Sequence, residues 1–371
     1  MYKLLRALLF RLDPETSHHL TFSLLRFFYL LPGAGAVMRA LIARRPAVLP
    51  VSVMGLDFSS PVGLAAGLDK NAEYVRPLAD FGFGFLELGT VTPRPQPGNP
   101  KPRLFRLPRQ AALINRMGFN NVGAGKFLVN LAAQGKPCTL GVNIGKNRDT
   151  PLAQAADDYL AVLNAVYRLA DYVAVNISSP NTTGLRDLQE EKNLDALLRA
   201  LKNEQATLAE KHGRYVPIAL KIAPDLDDTQ IAAIARLVRE HGFDAVIATN
   251  TTVSRPGLAD DPLAREVGGL SGRPLKALST EIIRKLYGQL RGAVPIIGVG
   301  GIENADDAWD KLVSGADLVQ IYTALIYEGP RVAQAITRDL AERVRASGCV
   351  TLAEAVAQAR RQKTDQEPPM K

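Results

Sequence analysis

Tyr172-Val173-Ala174-Val175-Asn176-Ile177-Ser178-Ser179-Pro180-Asn181-Thr182 passes from an unbroken apolar run straight into hydroxyls, carboxamides and a proline. Four consecutive apolar residues without alternation suit a strand buried on both faces. The Ser/Pro/Asn cluster that follows is ordinary turn chemistry. It also sets a hydroxyl and two carboxamides at the end of a buried strand. A hydroxyl there can take or relay a proton, and amides can hold a small polar heterocycle.

The pattern recurs along the chain. Short apolar runs occupy 61–66, 84–90, 138–143, 172–177, 217–223, 244–250, 295–299 and 318–322, and helix-like stretches such as 151–170, 190–212, 227–241, 275–291 and 304–314 lie between them. Eight apolar strands, each followed by a helix, predict a parallel α/β architecture, the TIM (β/α)8 barrel, over residues 46–360. Residues 51–60 read as a small hairpin closing its bottom, and the polar end, 361–371, as a frayed tail.

Residues 1–45 read as a separate helical extension of two helices. Leu4, Leu5, Leu8, Leu9 and Leu12 share one face of the first. Asp13-Pro14-Glu15 opens the second, with Asp13 as N-cap, Pro14 in the first turn and Glu15 at the positive end of the dipole. The apolar surface of this unit either docks on the barrel as core or enters a lipid boundary, with Lys3, Arg6, Arg11, Arg26 and Arg39 meeting headgroups.

Composition sets bounds. The chain has 371 residues, 47% hydrophobic and 22% charged, as expected of a globular protein. Two cysteines and four histidines give neither a disulfide framework nor a metal-ligand pattern. The net charge of +8 permits anionic partners. No stretch approaches the roughly 18 apolar residues of a spanning helix, and no cleavage site marks a secretory signal.

Barrel enzymes carry their chemistry at the C-terminal strand ends. There lie Ala66-Gly67-Leu68-Asp69-Lys70, Thr90, Asn143, Asn176 with Ser179 and Asn181, Lys221, Thr249-Asn250-Thr251, Gly300-Gly301 and Tyr322-Thr323. The repeated asparagines offer both donors and acceptors, the complement of a ring with alternating N–H and C=O groups. Ile297 to Ile302 and Gln320 to Ala324 follow strands seven and eight, where this fold places phosphate. Lys221 sits inside an apolar strand, where its charge needs a partner; the negatively charged pyrimidine ring of a flavin is one candidate.

These strings together resemble class 2 dihydroorotate dehydrogenase, the quinone-dependent, membrane-associated form. The matching blocks are GLAAGLDKNAE, FLELGTVTPRPQPGNPKPRLFRL, LINRMGFNN, GVNIGKN, NISSPNTTGLR, KIAPD, IATNTT, GGLSGRPL, IIGVGGI and VQIYTALI, spanning about 63–326. The resemblance implies an FMN enzyme of pyrimidine biosynthesis that oxidises dihydroorotate to orotate and passes electrons to a membrane quinone, ubiquinone or menaquinone. It implies peripheral attachment to the cytoplasmic face of the inner membrane through the N-terminal helices, with no nucleic-acid partner.

Carried over block by block, Ala66, Gly67, Leu68, Asp69 and Lys70 would line FMN. Thr90, Asn143, Asn176 and Lys221 would join them, as would Thr249, Gly272, Gly301, Tyr322 and Thr323. Lys70, Asn115, Arg116, Met117, Gly118 and Phe119 would hold dihydroorotate with Asn176, Asn181, Asn250 and Thr251. Ser179 would be the catalytic base, where class 1 relatives carry cysteine. A serine base needs a relay, and Thr182 with a water near Phe119 is the candidate. His18, Arg106 and Tyr322 would line a quinone tunnel. A tRNA dihydrouridine synthase would instead require a cysteine acid and a helical RNA-binding domain after the barrel. A non-catalytic phosphate-binding barrel would be colourless.

Overall fold

Residues 2–42 and 46–366 are described by the computed structural model, 363–366 by backbone alone. Eight parallel strands close into a barrel in chain order: Val62–Leu64, Phe85–Val91, Thr139–Ile144, Tyr172–Asn176, Ile218–Ile222, Ala245–Ala248, Ile296–Val299 and Leu318–Ile321. The eighth returns to the first with Val319 opposite Val62 and Ile321 opposite Leu64. Each strand lies within a residue of the run that predicts it. The helices also fall where expected, among them Glu191–His212, Asp228–Glu240 and Lys276–Leu290.

Alternation along the strands sorts side chains between two cores. Val173 and Val175 face outward and pack with Leu220 and Val246 under the surrounding helices. Tyr172 and Ala174 face inward with Phe85, Ala219, Ile247 and Leu318. Low in the interior Phe85 meets Phe58 edge-on at 5.1 Å and Tyr172 at 6.3 Å. Gly63 makes room for this plug, since a Cβ there would fall 2.3 Å from the Phe85 ring. The hairpin Val51–Val53 with Leu56–Phe58 supplies Phe58 from below. Continuing inward along the same strands come Glu87, Asn176, Lys221 and Gln320, so parity alone carries polar groups to the upper interior.

Two features depart from the sequence reading. An antiparallel three-stranded sheet, Leu104–Leu107, Ala112–Asn115 and Gly269–Gly272, stands over the barrel mouth; its first two strands lie in what reads as a plain connection. The N-terminal unit has three helices, α1 (Tyr2–Leu9), α2 (Pro14–Phe28) and α3 (Ala34–Ile42), the third following the Pro32-Gly33 break. Asp13 caps α2 as expected, accepting from the Thr16 amide at 2.9 Å. The polar end is helical as far as Gln366. Residues 43–45, at the proposed boundary of the extension, and 367–371 of the tail lie outside the described residues.

Among the described residues no helix is long and apolar enough to cross a membrane. Leu4, Leu8, Leu24, Phe27 and Leu30 of the N-terminal unit are nevertheless 60–75% exposed. Lys3, Arg11 and Arg26 are exposed on the same unit. Arg39 and Arg6 depart from the headgroup expectation: Arg39 pairs with Asp80 at 2.7 Å, and Arg6 donates to the Tyr327 carbonyl at 2.5 Å.

Candidate active site

A cavity opens at the C-terminal mouth of the barrel, roofed by the antiparallel sheet and reached by residues from most of the strand ends. At its floor lies a buried ion pair. Lys221 Nζ donates to Glu87 Oε1 at 3.0 Å, and both side chains are almost wholly buried. Glu87 accepts three further hydrogen bonds: Asn143 Nδ2 at 2.8 Å, Gln320 Nε2 at 2.7 Å and the Tyr172 hydroxyl at 3.2 Å. The partner that the Lys221 charge needs is supplied by a protein carboxylate, where the sequence offered a flavin ring as one candidate. Lys221 also lines the cavity, and an ammonium has three donors.

Above this pair the carboxamides interlock. Asn176 Nδ2 donates to Thr90 Oγ1 and to Asn143 Oδ1, each at 3.1 Å. Asn250 Nδ2 donates to Asn176 Oδ1 at 3.2 Å and to Ser178 Oγ at 3.0 Å. A second pair, Asn181 Nδ2 to Asn115 Oδ1 at 3.1 Å, joins the loop after the fourth strand to the roof. Arg186 ties two mouth loops together, donating to the Ser178 and Thr251 carbonyls at 3.0 Å each and pairing with Asp225 at 2.9 Å.

Ser179, not Ser178, faces the cavity. Its Oγ accepts from the Asn181 amide at 3.2 Å, which leaves the hydroxyl proton free to point elsewhere. Thr182 Oγ1 is buried and unpartnered among the described residues, as is Gln320 Oε1 on the cavity wall. Buried polar atoms seldom stay unpaired, and Gln320 Oε1 lies where a molecule in the cavity could reach it.

The opposite end is shaped by glycine. Gly301 has a φ of +71°, and a Cβ there would fall 2.5 Å from the Lys276 backbone. Gly272, with a φ of +92°, lies as close to the Ala111 carbonyl. Between them Thr323 shares a hydrogen bond with Ser271 at 2.9 Å. Bare backbone and hydroxyls in such a corner suit a phosphate. A cavity with a glycine corner that suits a phosphate, and with an unpaired acceptor and a lysine in its wall, suits a flavin.

Most of the expected residues meet here. Ala66, Gly67, Lys70, Thr90 and Asn176 line the cavity, as do Ser179, Lys221, Thr249 and Tyr322. Asn115, Met117, Gly118, Phe119, Asn181, Asn250 and Thr251 line it as well. Four do not. Asp69 is buried beneath the loop, accepting from the Asn71, Glu73 and Tyr74 amides, and so shapes the turn. Asn143 lies one layer behind. Arg116 turns outward to Glu266 and stacks over Phe105 at 4.6 Å. Leu68 faces a second cavity.

That second, largely apolar cavity lies between α1, α2 and the barrel, and Tyr322, Leu104 and Leu113 form a wall common to both. His18 and Arg106 line it. Burial, reinforced by the Lys70 charge, pushes the His18 imidazole down to about 3, so it is neutral. Arg106 is held by the Leu12 carbonyl at 3.0 Å and Ser17 Oγ at 2.8 Å, with its guanidinium 4.6 Å from the Phe10 ring.

Glu87, Gln320, Arg186 and Asp225 were given no such role by the sequence, where Gln320 figures only as the start of the segment placed near phosphate. A polar residue at an inward position of an apolar strand was the available signal for the first two.

Comparison with known proteins gives a consistent result. The family model described as dihydroorotate dehydrogenase matches residues 48–344. A Thiobacillus denitrificans protein named dihydroorotate dehydrogenase (quinone) is 57% identical over 345 residues, covering 92% of this chain and all of that protein. A Chromobacterium violaceum protein of the same name is 56% identical, covering 93% and 99%. Among solved structures, ligand-free Eimeria tenella DHODH superposes with a TM-score of 0.83 at 40% identity, covering 96% of this chain and 100% of that one. The Eimeria tenella enzyme in complex with ferulenol gives 0.81 at 39%, covering 93% and 95%.

Removing either partner of the floor pair strands a charge, at a cost of about 3–5 kcal/mol. Lys221→Met and Glu87→Gln should each lower the melting temperature of the apoprotein by several degrees. The double variant should recover part of the loss, as read by calorimetry.

Proposed function

The chain belongs to the dihydroorotate dehydrogenase family, and from that premise we propose how its residues carry out the quinone-dependent oxidation of dihydroorotate to orotate. The observation that carries the reading is the single cavity in which Ser179, the carboxamide set and Lys221 face one another, with a glycine-lined corner beside them. FMN is the flavin that this cavity suits best. When bound, FMN supplies the hydride acceptor and the route by which electrons reach the quinone.

Gly272, Gly301 and Thr323 would hold the phosphate. Gln320 Oε1 and Lys221 would meet the polar edge of the ring, with Lys221 oriented by Glu87. Lys70, Asn115, Asn176, Asn181, Asn250 and Thr251 bind the carboxylate and the ureide edge of dihydroorotate. Oxidising a C–C bond to C=C requires a proton to leave one carbon as a hydride leaves its neighbour. Ser179 takes that proton as its own hydroxyl proton passes to the buried Thr182 hydroxyl, which would hand its proton on to a water near Phe119 and so to solvent. Asn181 keeps Ser179 Oγ in place through its backbone amide.

The N-terminal unit, residues 1–45, forms the quinone entrance and the membrane contact. The apolar cavity behind Tyr322 would admit a quinone head; a neutral His18 adds no charge to that path, and the Arg106 guanidinium in its wall is tied to Leu12 and Ser17. Exposed Leu4, Leu8 and Phe27 enter the lipid boundary while Lys3, Arg11 and Arg26 meet headgroups. Attachment is peripheral, at the cytoplasmic face of the inner membrane.

Anaerobic titration with dihydroorotate should bleach the flavin absorbance of the purified protein, and a soluble quinone should restore it. Ser179→Ala should keep FMN and bind orotate, but slow stopped-flow flavin reduction by about 10²-fold or more; an unchanged rate would remove the base assignment.

Burial, with the Arg103 charge adding to it and Glu15 opposing, brings Lys70 down to about 8. Its ammonium is present below that pH and lost above it. The dissociation constant of anionic orotate should therefore rise as pH is raised beyond about 8, as read by flavin difference spectra.

Replacing Leu4, Leu8 and Phe27 together with Gln should weaken partitioning onto anionic lipid vesicles by roughly tenfold or more. Dihydroorotate-driven flavin reduction should stay within twofold of the parent.

A further inference from the structure

Glu15 reads in the sequence as an acidic residue answering a helix dipole. In the structure it is 5% exposed and turned toward the barrel. Its carboxylate accepts a bidentate pair from Arg103, Nε at 3.2 Å and Nη2 at 2.8 Å. Burial would raise the Glu15 carboxyl, but the Arg103 hydrogen bonds and charge, with those of Lys101, hold it down at about 2.

The remaining nitrogen of the same guanidinium does something else. Arg103 Nη1 donates to the Pro97 carbonyl at 2.7 Å and to the Asn99 carbonyl at 2.9 Å. The turn it clamps is pressed against the substrate loops. Asn99 donates its amide to the Met117 carbonyl at 3.0 Å, and its Nδ2 to the carbonyls of Arg116 at 3.0 Å and Asn181 at 3.2 Å. There is no slack in this contact. A Cβ on Gly98 would lie 2.3 Å from the Met117 carbonyl oxygen, and one on Gly118 would lie 2.8 Å from the Asn99 side chain. Asn181 in turn donates through its side chain to Asn115 and through its backbone to Ser179 Oγ.

We infer that Glu15, Arg103 and Asn99 are positioning residues for the dihydroorotate site, through which the docked helix α2 holds the loops at 115–119 and 179–181 in their binding geometry. The inference rests on the functional reading above and extends it to residues outside the cavity. The alternative is a pair that merely fastens α2 to the barrel. The geometry argues against it, because half of the Arg103 contacts go to the turn and not to the helix. A guanidinium satisfied at both ends is also a stiff link, since its planar fork fixes the two acceptor sets relative to each other. Glu15→Gln removes the charge that orients the fork, and Asn99→Ala removes the side-chain bonds to the Arg116 and Asn181 carbonyls at the far end of the link.

The test is the dissociation constant of orotate, read from the flavin difference spectrum of the full-length holoenzyme. The parent, Glu15→Gln, Asn99→Ala and the double variant are compared, with melting temperature and FMN content as companions. Each single change should weaken orotate about fivefold to tenfold. The double variant should be no worse than about the weaker single, because both act on one connection. Glu15→Asp, which keeps the charge but withdraws it by one methylene, takes the place of Glu15→Gln if that variant does not fold. Melting temperatures that fall while orotate binding stays within twofold of the parent would reduce the pair to a docking contact and overturn the inference. Effects that multiply in the double variant would overturn it too. A parent protein that binds no orotate would sink the functional reading itself, and this link with it.

Discussion

A carboxylate with no exposed surface sits on the axis of the barrel, and the upper half of the molecule is arranged around it. Glu87 would be prohibitively costly there without compensation. It receives an ammonium, a carboxamide N–H from each of two strands and a phenol, from residues as far apart in the chain as Asn143 and Gln320. Satisfying it fixes the rotamers of Asn143, Lys221 and Gln320 at once. Asn143 then accepts from Asn176 and Asn176 from Asn250, so the order of the floor passes upward to the carboxamides of the cavity. A fully paired polar network of this kind is rigid, and rigidity before binding is what a hydride-and-proton transfer asks of its surroundings.

The N-terminal helices contribute at two levels. Their outward faces are greasy and lightly basic, while their inward faces enclose an apolar chamber whose ionisable lining is either neutral, as at His18, or tethered, as at Arg106. The helix that carries His18 also carries Glu15, one turn away and directed at the substrate side. One short element thus lines the apolar chamber and is tied to the loops of the other cavity.

The barrel was legible because each of its strands is a local event. A short apolar run followed by glycine or a carboxamide needs no knowledge of distant residues, and eight of them in alternation with helices admit few architectures. Mouth residues could be named for the same reason, since a strand end announces itself. What the sequence concealed was direction and partnership. Glu87 and Lys221 lie 134 positions apart, and only barrel closure brings them together. Arg116 shares a motif with five cavity residues, yet the strand it ends on aims it at Glu266. Asp69 looks like a ligand and acts as the staple of a turn. The roof sheet went unread because Leu104–Leu107 contains an arginine and Gly269–Gly272 begins and ends with glycine, so neither has the profile of a strand.

Tyr322 has a place on both sides of one thin wall. Burial pushes its hydroxyl up to about 12, leaving the ring uncharged across the range in which cells grow. On the proposed reading, oxidant and reductant would approach through separate doors and would not compete for the same space. Kinetically, such a layout is a turnstile: product must clear one chamber, not both, before the next electron pair moves. A molecule lodged behind the tyrosine would halt respiration-linked turnover yet leave a single round of substrate oxidation intact.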